Sequence, residues 1–219
     1  MQNLIPFLAV GGVLALVGVI AYVAWRLDKK RTEALTKLAT TFGLQFSVDA
    51  PAGFLGAYGD MHLFTLGRSG TAKNVMRGEI DGVAVHLFDY SYVTGHGKSR
   101  RTHRQTVVGL SLPTLALPAF ELRPENIFHK IGSALGFQDI DFAQAPVFSK
   151  RFLLRGAEEN AIRATFKPAV LSHFERHEGV SAEGRGKLMV YYRAARILRP
   201  EDVRSFVNES REVAKLLAA

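Results

Sequence analysis

KNVMRGEIDGVAVHLFDYSYVTGHGKSRRTHRQTVVGLSL, residues 73–112, decides the fold class. At its centre is Asp81-Gly82, a dipeptide suited to the two left-handed positions of a tight hairpin turn. The flanking residues, 73–80 and 83–92, read as its two strands. Val83, Val85 and Leu87 alternate with Ala84, His86 and Phe88, so the two sets address opposite faces of a sheet. A second hairpin pairs 83–93 with 102–112 around the tip 94–99, and Thr106, Val107 and Val108 have the β-branched character that suits a sheet.

Working toward the N-terminus, residues 62–66 read as another strand, 49–60 as a Gly/Pro/Ala-rich loop and 44–48 as a short strand. Residues 26–42 carry Leu27, Arg31, Ala34, Leu35, Leu38 and Phe42 at helical spacing, with Gly43 fitting a left-handed stop. Before them, residues 4–25 contain no charged side chain and as a helix would span roughly 33 Å. Arg26, Lys29, Lys30 and Arg31 follow, while the N-terminal side has no Lys or Arg. This pattern predicts a retained transmembrane anchor with the N-terminus outside and the rest cytoplasmic. The competing signal peptide lacks its basic n-region, and a buried core helix would be unusually long. Gly11, Ala15 and Gly18 share a helix face that would let two spans approach as a homodimer.

Toward the C-terminus, Pro113 and Pro118 keep residues 112–120 extended, and 124–135 read as a helix. Residues 150–155 read as a strand, 158–178 as one helix or two broken near Pro168, 180–183 with 187–193 as a hairpin, and 200–217 as a final helix. The expected fold class is therefore α+β, with one N-terminal transmembrane helix followed by mostly antiparallel strands and several packed helices. Its parts are an anchor over 1–26, a juxtamembrane stalk helix over 27–43 and a soluble α+β domain over 44–219.

Composition narrows the chemistry. The 219 residues include no cysteine, which excludes disulfides, thiolate metal sites and cysteine nucleophiles. The net charge of +8 favours an anionic partner. His173 and His177 stand at i, i+4, but Glu175 falls between them rather than directly after the first, so they read as surface histidines near a helix end. Gly97-Lys98-Ser99 matches the end of a phosphate loop, yet Tyr92 stands where its first glycine belongs and the segment joins two strands. Asp139 and Asp141 have no third acid close in sequence and read as loop carboxylates.

Asp141, Phe142, Phe148, residues 150–156, Glu159, Ile162, Arg163, Phe166, residues 168–174 and residues 188–191 form one pattern. Residues 88–92, with the Gly-rich tip and 105–108 beyond it, form another. Together they resemble an uncharacterised family of bacterial membrane-anchored proteins of unknown function. The resemblance implies a bacterial membrane protein and no particular chemistry.

No acidic residue lies between Asp89 and Glu121, whereas Lys98, Arg100, Arg101 and Arg104 fall in that interval. The functional expectation is a single-pass inner-membrane protein, more readily a binding protein than an enzyme. Its cytoplasmic domain would contact a protein partner or the anionic membrane surface through these four residues. Nucleic acid ranks lower, for want of interleaved aromatics or a reading motif. No catalytic, cofactor-binding or metal-ligating residue is assigned, and no cofactor is expected. The alternative is a membrane-bound enzyme, which requires a pocket where at least two titratable groups converge.

Overall fold

A computed structural model describes residues 4–125 and 139–219. Among them the eight strands form one antiparallel sheet in the order β1-β2-β3-β4-β8-β7-β5-β6. The strands are β1 (Gln45–Asp49), β2 (Arg68–Ile80), β3 (Val83–Thr94), β4 (Arg101–Ser111), β5 (Leu117–Pro124), β6 (Phe152–Arg155), β7 (Ser181–Gly186) and β8 (Leu188–Tyr192). The β7–β8 hairpin is wedged between β4 and β5 and joins the two halves of the chain. As the sequence indicates, Asp81 (φ 48°) and Gly82 (φ 76°) make the turn between β2 and β3.

The helices are α1 (Leu4–Phe42), α2 (His62–Thr65), α3 (Pro146–Arg151), α4 (Glu159–Thr165), α5 (Pro168–Arg176) and α6 (Pro200–Ala218). One face of the sheet presents Val85, Leu87, Val108, Leu110, Leu122, Ala182 and Tyr191 to a core shared with Leu35 of α1, Ile162 of α4, Phe174 of α5 and Phe206 of α6. The other face presents Phe88, Tyr90, Tyr92, Val107, Val190 and Tyr192 to a smaller core with Tyr58, Met61 and Leu63. These last three belong to a lid, residues 54–65, made of a 3-10 turn (Phe54–Tyr58) and α2.

Two element assignments differ from expectation. Residues 62–66 are expected as a strand, but His62 and Leu63 are adjacent and both buried, which a helical turn achieves and a strand under a one-sided cover does not. Residues 150–155 are only partly a strand: Pro146 at the first turn of α3 carries the helix to Arg151 before β6 begins. The helix expected over 124–135 lies outside the described residues beyond Glu125; Pro124 itself ends β5.

The N-terminal expectation is overturned. Among the described residues no helix is long and apolar enough to cross a membrane. The transmembrane anchor over 1–26 is thus not supported. The single-pass topology, the inner-membrane localisation with its outside N-terminus, and the cytoplasmic placement drawn from it fall with the span. So does the integral-membrane partnership. The homodimer through Gly11, Ala15 and Gly18 was argued from spans meeting in lipid and loses that basis.

The C-terminal half of α1 is fastened to the sheet instead. Leu35 and Ala39 are buried, and Arg31 makes a bidentate pair with Asp89 of β3 (Nε–Oδ2 2.8 Å, Nη2–Oδ1 2.7 Å) while donating to the Leu198 carbonyl. Asn74 and Thr106 also donate to Asp89, at 3.0 and 2.9 Å. Gly43 (φ 69°) ends the helix, its neighbour Leu44 donating back to the Ala39 carbonyl.

Candidate functional site

The β3–β4 hairpin projects the basic residues singled out by the sequence. Lys98 sits in a 3-10 turn (Gly97–Ser99), and Lys98, Arg100, Arg101 and Arg104 are all exposed. Gly95 (φ 69°) makes the tip possible: a Cβ there would lie 2.3 Å from the Ser99 carbonyl oxygen. Arg68 of β2 braces the tip by donating to the Gly95 carbonyl at 2.8 Å. Because Arg101 and Arg104 differ by an odd number of positions along β4, they address opposite faces of the sheet. The charges therefore ring the end of the hairpin rather than form a flat patch. Among the described residues, none of the four is in an ion pair with Asp or Glu.

A second region lies under the lid and was not foreseen. Across β7, β5 and β6 the register aligns Glu183, Glu121 and Arg155 in one row. Glu121 and Glu183 are buried, and so are Arg123 and His62 beside them. Arg123 Nε is 2.6 Å from Glu121 Oε1, yet neither Glu121 oxygen receives an aligned hydrogen bond. Glu183 accepts from the Leu63 backbone N–H (3.1 and 3.2 Å) and from the Tyr192 hydroxyl (2.8 Å).

Burial and the Glu121 charge push Glu183 from the ordinary glutamate value up to about 7, and burial also raises Glu121 against the pull of Arg123 and Arg155. Burial and Arg123 hold His62 down at about 4, so its 3.6 Å approach to Glu121 is not an ion pair at neutral pH. A cavity of about 220 Å³ opens beside this cluster, lined by Met61 and His62 of the lid, Phe120 and Glu121, Gly156, and Glu183 and Gly184. Gly184 keeps the floor low, since a Cβ there would meet the Phe120 ring at 2.3 Å. The convergence of titratable groups that an enzyme reading requires is thus present, although the carboxylate oxygens of Glu121 are buried from solvent.

The fold has a solved counterpart. It is similar to the crystal structure of the mycobacterial trehalose monomycolate transport factor A, TtfA, with a TM-score of 0.62 over 87% of this chain and 94% of that one. At 14% identity the likeness shows the fold alone. No family model matches the chain, and no curated protein matches it. The resemblance to an uncharacterised membrane-anchored family is corrected accordingly: the distant relative that emerges is a named bacterial transport protein, found through backbone geometry. The aromatic and strand positions that suggested the family are core positions, such as Phe88, Phe148, Phe166 and Phe174.

Other sequence candidates resolve into structural roles. His173 is fully buried rather than on the surface, its ring 4.2 Å from that of His177 and its Nδ1 3.7 Å from Glu212. Among the described residues no group of three or more metal-ligating side chains converges. Asp139 accepts from the Leu154 backbone N–H at 2.9 Å and so secures β6. The Gly97-Lys98-Ser99 segment joins two strands, without the helix N-terminus that a phosphate loop needs.

The charge row under the lid had one visible signal. Phe120-Glu121-Leu122-Arg123 alternates apolar with charged residues, which reads as a strand open to water on one side. Only the lid converts that wet face into a buried one.

Proposed function

We propose that this chain is a non-enzymatic binding domain that docks onto an acidic surface of a protein partner through the end of the β3–β4 hairpin. The observation that carries the reading is the ring of exposed Lys98, Arg100, Arg101 and Arg104, with no carboxylate paired to any of them. Charges that fasten elements of the fold together are paired, as Arg31 with Asp89 and Arg211 with Asp81 are. Unpaired positive charges on a projecting tip leave a field that steers an acidic partner and sets its orientation. The structural relative is named a transport factor. A role by contact, as an accessory to transport, follows from reading that name together with the exposed basic tip.

The test is binding of the full chain to poly-glutamate, duplex DNA and anionic vesicles at several salt concentrations, with Arg100→Glu/Arg101→Glu as the comparison. Poly-glutamate should bind, weaken with salt and lose at least tenfold in the double variant. Preference for DNA or vesicles, or unchanged binding by the variant, would refute docking of an acidic protein at the tip.

A further inference from the structure

The lid is held down by a carboxylate that has a second carboxylate directly opposite it. Glu183 of β7 takes the Leu63 N–H of α2, and its cross-strand neighbour on β5 is Glu121. Like charges directly opposite on adjacent strands repel, and here both lie in a buried row. The two oxygens of Glu121 lack an aligned donor, an arrangement that is costly for a buried carboxylate.

We propose that Glu121 and Glu183 share one proton, and that this proton is a latch which keeps the lid on the sheet and whose loss in alkaline solution lets the lid lift. The hydrogen-bond pattern assigns the parts. The Leu63 N–H reaches both Glu183 oxygens, at 3.1 and 3.2 Å, and Oε1 also accepts from Tyr192, so Oε2 is the less engaged oxygen and is assigned the proton, on the carboxyl that stands opposite Glu121. Arg123, 2.6 Å from Glu121, and Arg155, opposite it in register, favour Glu121 as the ionised member. Every element packed around the pair contributes a group. His62 faces it from α2, Arg123 from β5, Arg155 from β6, Tyr192 from β8 and Tyr92 from β3, while Arg185 on β7 points out toward Asp60.

Once both carboxylates are ionised, closure traps two like charges away from water, and opening solvates them. Met61 and His62, which line the 220 Å³ cavity, leave with the lid, so the cavity widens into a cleft. The latch therefore makes the width of that cavity a function of pH.

The sign follows from the closed-state value of about 7 against the 4.5 of a solvated glutamate. The lid-opening equilibrium should rise about tenfold between pH 6 and pH 8. The experiment is a pH titration of the full chain by carbon-13 NMR of the glutamate carboxyls, alongside amide hydrogen exchange at Leu63 corrected for intrinsic rate. One carboxyl should titrate near neutrality, and Leu63 protection should fall about tenfold from pH 6 to 8. In Glu183→Gln the amide keeps the acceptor for Leu63 and supplies a fixed donor to Glu121, so the neutral titration should vanish and protection should stay flat. A highest glutamate titration below about pH 5.5, flat protection in the wild type, or an equal fall in the Gln variant would each overturn the latch. If Glu183→Gln does not fold, Glu121→Gln serves. It removes the opposing charge and should shift the neutral titration down by about a unit or more, and no shift would overturn shared protonation.

Discussion

Asp89→Ala tests how α1 is held to the sheet. Asp89 accepts from Arg31, Asn74 and Thr106, and the pair it forms with Arg31 is largely buried, with side-chain exposures of 12% and 15%. Removing the carboxylate leaves the Arg31 guanidinium with the Leu198 carbonyl and the Thr106 hydroxyl but no counter-charge. Breaking a buried pair from one side costs about 3–5 kcal/mol, and the residual exposure places this case near 3. For a chain of this size that corresponds to a fall in Tm of roughly 6–12 °C. The loss should be local first. Lys29, Lys30 and Arg31 all follow one another in α1, so trypsin cleavage there should accelerate before the rest of the fold is attacked.

Urea denaturation of Asp89→Ala, Arg31→Met and the double variant should give a coupling of about 2 kcal/mol. The replacement of both partners should cost less than the sum of the single changes. A single-variant loss below about 1 kcal/mol, or strict additivity, would refute the claim that this pair fastens the helix.

Three further outcomes are expected. Gly109→Ala places a Cβ 2.3 Å from the Tyr58 hydroxyl, so it should break the 2.7 Å Tyr58–His86 hydrogen bond and cost about 1–3 kcal/mol, read by thermal melting and near-ultraviolet dichroism. Burial, with the His177 charge, holds His173 down at about 4, so its contribution is complete above pH 6.5 and lost as pH falls toward 4. About 3 kcal/mol of urea stability should disappear over that window and much less in His173→Leu. Glu183 pulls the other way, its stability being lost as pH rises from 4.5 through 7, which is why the single-site variants are compared rather than the wild-type profile alone. Arg101→Glu should leave stability within about 0.5 kcal/mol of wild type, because the residue is exposed and supports nothing in the fold.

The sheet was legible where local chemistry decides it. Asp81-Gly82 sets the β2–β3 register, and the alternation over 83–88 assigns each residue its face, as the two cores show. Pro168 marks the break between α4 and α5, while the β7–β8 turn falls at Gly186-Lys187, later than expected, because Gly184 and Arg185 still pair with Met189 and Leu188. What failed was decided by distant packing. The segment at 62–66, expected as a strand, folds as a helical turn because Tyr58, Met61 and Leu63 cover aromatic rings contributed by β3. The basic tip was legible as a run without acids. The Glu121–Glu183 row was not, because its two members lie far apart in sequence and become neighbours only when β7 pairs with β5. The apolar N-terminal run carried a membrane reading that the described helix does not bear out.

The wedge position of the β7–β8 hairpin has a consequence for synthesis. A chain emerging from the ribosome completes β1 to β4 early, yet the outer edge of β4 waits for β8, which ends only at Tyr192. Until then β4 and β5 each present unsatisfied backbone groups, the kind of surface on which nascent chains aggregate. A polypeptide stopped before residue 181 should accordingly be a client for chaperones. Emergence of β7 and β8, residues 181–192, is the event that zips the two halves together, which makes their insertion the slow step of folding.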